Sequence, residues 1–235
     1  MTIEDYFKTQ KMNSEQILKF APFGILCPII ENIYNHSFKL VPPDSNPLFG
    51  KCLLICHKSF LSSASLIAQA QPDDAVLVTR RAIEVVRIAL AIKLNPKNAD
   101  KWTAYEERSK RWDQRLKGEK PKPLFIKFEI DHPIINELMH LYGIFSDAGV
   151  HFTPEYFDSL GWNIEENKQF LNYFMSDNKA LVKEIILFTS IHSKVLQILD
   201  ECMDFAFRKD EKWNRLMNEL IEKGKLISTK FNPGS

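Results

Sequence analysis

A chain of 235 residues, 45% apolar and 26% charged, has the composition of a globular protein able to bury a sizeable core. Its formal net charge of +1 gives no global basis for nucleic-acid or anionic-membrane binding, and no double-stranded DNA signature is present. Eight glycines are few for this length; there is no Gly-rich phosphate loop, no dinucleotide fingerprint and no apolar run long enough to span a membrane.

Cys27, Cys52, Cys56 and Cys202 have no disulfide-framework spacing, and MTIEDYFKTQKMNSEQ lacks the regions of a signal peptide. These features predict a reduced, soluble, cytoplasmic protein. Residues 1–12 read as a loose or weakly helical arm, and Asn13 to Gln16 as the cap of a short helix that Pro22 interrupts. A second apolar helical piece runs from Cys27 to Tyr34. Val41 to Pro47 is a loop dense in turn residues. Residues 1–46 are therefore expected to form an N-terminal extension packed on one helical domain, 47–235.

Leu48 to Gln71 is the first long helix of that domain. Gln71-Pro72 joins it to a second, 72–95, which predicts a tight antiparallel pair. In 72–95, Val76, Ile83, Val86, Ala89, Leu90 and Leu94 recur at three- and four-residue spacing, so this helix is expected at the centre of the core. Asn98 to Lys117 reads as a polar helix, and 124–130 alternates like a short strand. Pro133 to about Ala148 is helical, and Gly149 supplies a stop. Glu155 to Met175 is expected to give a helical turn and an extended piece. A helix on the order of 45 Å follows from Ser176 to about Phe207. The last helix runs from Glu211 to about Ile227. Together these predict an all-α, up-and-down bundle of four or five long helices with N- and C-terminal helical additions.

The apolar 72–95 helix carries Arg80, Arg81, Glu84 and Arg87. Glu84 lies one turn from each arginine, so the row predicts a carboxylate paired with guanidinium groups, with Arg81 shielded more than Arg80. A second cluster, Tyr142, Ser146, Asp147 and His151, stands at a helix end, where side chains can project into a cleft.

Through Arg81-x-x-Glu84 and Tyr142-x3-Ser146-x4-His151, residues 48–207 resemble the HEPN-like helical superfamily, and within it a family of uncharacterised bacterial proteins. The resemblance implies a metal-independent ribonuclease ancestry, an Arg-x4-6-His motif with a polar residue after the Arg, and a homodimer that brings two sites together. Here Asp147 and His151 keep the spacing, but Ser146 stands where the Arg would be. Metal-free RNA cleavage needs a base, which His151 can supply, and a cation on the phosphate, which Ser146 cannot. On the enzyme reading Arg81, or its neighbours Arg80 and Arg87, must supply that cation.

Three readings follow. One is a non-catalytic or residually catalytic HEPN-like protein binding RNA, a nucleotide or a protein partner. The second is a toxin- or defence-type endoribonuclease using His151, Asp147 and Arg81. The third is a structural or assembly protein with an internal ion-pair network. No cofactor is implied. Cys52-x3-Cys56 lacks two further zinc ligands, Glu137-x2-His140 is half of a di-iron signature, and His192 in an apolar stripe reads as a core histidine. From Lys101 to Lys122, eight basic residues against four acidic ones interleave with Trp102, Tyr105 and Trp112. That pattern suits single-stranded RNA, or simply a solvated helix face.

Overall fold

The computed structural model describes residues 2–99, 130–149, 162–165, 168–171 and 178–231, with the backbone alone at 146–149 and in the strands. Among the described residues the chain is all-α apart from one small hairpin. Its helices are α1 (Ile3–Ile17), α2 (Ala21–Leu40), α3 (Pro47–Ala68), α4 (Pro72–Leu94), α5 (Pro133–Gly149), α6 (Asn178–Cys202) and α7 (Glu211–Phe231). Between α5 and α6, β1 (Trp162–Glu165) pairs antiparallel with β2 (Lys168–Leu171), Trp162 opposite Leu171. The expected helix over 98–117 and strand over 124–130 lie almost wholly outside the described residues.

The α3–α4 pair forms because Ala68-Gln69-Ala70-Gln71 turns the chain within one left-handed residue, Ala70, at φ 61°. Gln71 N–H donates to the Leu66 carbonyl at 2.9 Å, closing the end of α3. Small residues then let the two helices run antiparallel at close range. Ser63 Oγ donates to the Ala75 carbonyl at 3.0 Å, and Thr79 Oγ1 to Ser63 Oγ at 3.0 Å. Ile83, Val86 and Leu90 of α4 are fully buried, as the periodicity predicts. Each such side chain contributes about 1.5–3 kcal/mol of burial. Helix α4 packs against α3, α5 and α6, and α6 packs on α2, α3, α4, α5 and α7.

The N-terminal arm departs from expectation. It is helical from Ile3, because Thr2 and Asp5 form a reciprocal capping box, the Thr2 hydroxyl accepting from Asp5 N–H at 3.1 Å. Pro22 opens α2 instead of interrupting a helix, since a first-turn residue needs no amide donor. Ile30, Ile33 and Tyr34 of α2 are fully buried in the same cluster as the α4 core. Segments far apart in sequence meet there: His36 Nε2 lies 2.8 Å from Asp210 Oδ1, and Trp213 Nε1 donates to Ser37 Oγ at 3.1 Å.

Helix α6 stops at Cys202, short of the expected end at about Phe207. Asp204 and Phe205 adopt φ of 55° and 60°, which no helix continues. Fully buried Asp200 holds this turn. Its Oδ1 accepts from Phe207 N–H at 2.8 Å and Arg208 N–H at 3.2 Å, and its Oδ2 accepts from Arg208 Nε.

Candidate functional site

On α4, Arg80, Glu84 and Arg87 stand at i, i+4 and i+7 and so share one edge of the helix. Helix α5 runs antiparallel beside that edge, which sets Tyr142 against Arg80 and Glu84, and Met139 against Arg87. The Arg80 guanidinium carbon lies 4.4 Å from the Tyr142 ring centroid, in cation–π range. Arg80 Nη2 donates to the Tyr142 hydroxyl at 2.8 Å, and that hydroxyl donates to Glu84 Oε1 at 2.5 Å. The phenol thus relays charge between a cation and an anion that do not touch. Its pKa is raised by burial first and then by Glu84, with Arg80 opposing, so the hydroxyl keeps its proton as the donor to Glu84.

Two expectations for the row are corrected. Arg81 is exposed, while Arg80, Glu84 and Arg87 are half-buried. The buried stripe of α4 runs through Ala75, Thr79, Ala82, Ile83, Val86 and Leu90, and about 100° per residue turns Arg81 to the opposite side. Among the described residues Glu84 makes no ion pair with Arg80, Arg81 or Arg87; Tyr142 takes the place of that contact. Arg80 Nε is buried without a hydrogen-bond partner among the described residues. Arg87 Nη1 lies 3.9 Å from Met139 Sδ. Of the second cluster, His151 lies outside the described residues, as do the side chains of Ser146 and Asp147. The structure therefore brings together Arg80, Glu84, Tyr142 and Arg87, and sets Arg81 on the outer surface of the same helix.

A separate polar group, which spacing could not reveal, lies deep in the core. Tyr34 and His192, 158 positions apart, share a 2.8 Å hydrogen bond between the phenol oxygen and Nδ1, and both are fully buried. Tyr34 stacks on His57 at 5.1 Å, and Phe60 and Phe188 enclose His192. Burial pushes the His192 pKa down to about 3, helped by His57, so the imidazole stays neutral. Its Nε2, like that of His57, has no partner among the described residues. Asp73 and Glu184 have raised pKa values, in each case from burial first and then from a neighbouring carboxylate.

The remaining candidates do not assemble into a site among the described residues. Glu137 pairs with Lys194, and His140 is exposed. Cys56 Sγ lies 3.8 Å from the Ala82 carbonyl, and burial raises the Cys52 thiol to about 12, far from a reactive thiolate. Among the described residues no group of three or more His, Cys, Asp or Glu is placed to hold a metal ion. Among the described residues no single helix is long and apolar enough to cross a membrane. Comparison of the chain with protein-family models, with curated proteins and with solved structures gives no match in any of the three.

Proposed function

We propose that this chain is a non-catalytic or residually catalytic HEPN-like protein that binds RNA or a nucleotide along the α4–α5 seam. The observation that supports it is the Arg80–Tyr142–Glu84 relay. A phosphate clamp for RNA cleavage needs a guanidinium whose donors are held open toward the phosphate. Arg80 is committed to Tyr142 through both its Nη2 and its cation face. Arg81, one residue on, is exposed and makes no hydrogen bond or ion pair among the described residues. An exposed arginine on the same helix as the relay offers a cation to a phosphate-bearing ligand.

The test is fluorescence anisotropy with labelled single-stranded RNA and with a nucleoside triphosphate, at low and moderate salt, and gel analysis of the same RNA for cleavage. Wild type, Arg81→Ala and His151→Ala are compared. Binding that weakens with salt and with Arg81→Ala, with no cleavage, is the expected result. Cleavage lost in both variants would establish the endoribonuclease instead. No binding at low salt would leave the relay a structural fixture and refute the proposal.

A further inference from the structure

Helix α1 is docked the unusual way round. Its inward face is polar: Asn13 Nδ2 donates to the Gln69 carbonyl at 3.3 Å, Gln10 Nε2 to Gln71 Oε1 at 3.2 Å, and Gln71 Nε2 to the Tyr6 hydroxyl at 2.5 Å. Along most of the helix the apolar side chains face outward, with Ile3 77%, Phe7 61% and Met12 60% exposed, and Ile17 at its end turns into the core. Ile3, Phe7 and Lys11 form one row at i, i+4 and i+8, two apolar positions and then a cation, all exposed.

Beside α1 lies a groove of about 480 Å³. Its α2 wall is the row Phe23, Cys27, Glu31, again at i, i+4 and i+8, and its α3 wall includes Phe60, Leu61 and Ala64. The floor is apolar, and Glu31 is its formally charged lining residue. Glu31 is exposed and makes no hydrogen bond or ion pair among the described residues. Gly24 opens this corner: a Cβ there would lie 3.1 Å from the Leu18 carbonyl oxygen.

Two helical walls offering side chains every fourth residue are the shape that receives a helix, because ridges of one helix seat between ridges of others. The occupant must bring apolar groups at the first two positions and a cation at the third. We infer that the groove receives the α1 helix of a second copy of this chain, Ile3 and Phe7 entering beside Phe23 and Cys27, and Lys11 pairing with Glu31. Both elements lie on every copy, so with a two-fold axis between two copies the contact is made twice and closes as a dimer. An anionic membrane fits less well, since the α1 segment 3–19 carries Glu4, Asp5 and Glu15 against Lys8, Lys11 and Lys19 and has no net charge. This surface is separate from the α4–α5 seam and does not rest on its proposed role.

The full chain is measured by sedimentation equilibrium, with circular dichroism confirming that each variant is folded. Wild type is expected to be a dimer, and Phe7→Ser to shift it to monomer. Glu31→Lys and Lys11→Glu each weaken dimerisation by roughly tenfold or more, and the double swap restores it, because the pair is then reversed in both copies. Monomeric wild type across the concentration range overturns the proposal. So does a dimer indifferent to all these changes, which would place its interface elsewhere, or a double swap no better than the single variants.

Discussion

Tyr142→Phe tests the relay most directly, because it removes one oxygen and leaves the ring under Arg80. The hydroxyl makes two hydrogen bonds to charged groups, at 2.8 Å from Arg80 and 2.5 Å to Glu84. Hydrogen bonds to charged partners contribute about 1.5–3 kcal/mol each when the site is dry. This site is half-buried, so water recovers part of that loss. Arg80 and Glu84, four residues apart on one helix, can also pair directly for about 0.3–0.5 kcal/mol. The cation–π contact is retained. The net loss should therefore be about 1–2 kcal/mol, well below the cost of leaving a fully buried guanidinium unpaired. Urea denaturation of wild type, Tyr142→Phe, Glu84→Gln and the double variant measures it. The cycle should be non-additive, since both single changes break one shared contact. A Tyr142→Phe loss below about 0.3 kcal/mol, or an additive cycle, would show that the relay is not energetically coupled and remove the case for a designed polar seam.

Asp200→Asn should destabilise the chain by about 2–3 kcal/mol, because a buried charge that accepts two backbone amides and Arg208 is replaced by a weaker acceptor. Thermal unfolding checks this, and a shift no larger than that of a surface substitution would contradict it. His192 makes stability fall in acid. Its folded pKa of about 3 lies below its usual value near 6.5, so the unfolded chain takes the proton first. Its contribution is complete above about pH 6.5 and drains away as pH falls toward about 3, at about 1.4 kcal/mol per unit. His192→Asn should flatten that slope by about one proton in urea titrations between about pH 6.5 and 4.5; an unchanged slope would refute it.

The long helices were readable because burial repeats at helical period: Ile83, Val86 and Leu90 could be placed from spacing alone. What spacing left open was the phase of the polar edge. Arg80 and Arg81 are equally good partners for Glu84 in a one-dimensional row, and only the direction from which α5 arrives decides between them. Tyr142 was in view as a site residue, but its role between two charges depends on a neighbour 58 positions away. At the N-terminus, Thr2 and Asp5 carried a legible capping signal that the weak apolar pattern of residues 3–17 obscured. The pairing of Tyr34 with His192 had no local signature, since each reads on its own helix as an ordinary core residue. The end of α6 was misplaced because left-handed residues such as Asp204 and Phe205 are set by the Asp200 turn and not by their own preferences.

The meeting of α2 with α6 and α7 has a consequence for how this chain comes to be folded at all. Tyr34 waits for His192, His36 for Asp210, and Ser37 for Trp213, contacts that span 158 to 176 positions. During synthesis α2 emerges before α6 and α7, the helices that cover it. Until then its apolar face has α3 beside it but, among the described residues, lacks the α6 and α7 cover over the Ile30–Ile33–Tyr34 stripe. Closure of so long a loop comes late and slowly. A nascent chain stalled before residue 178 therefore presents a greasy, unfinished helix pair, the form of this protein that chaperones would hold and that would aggregate first.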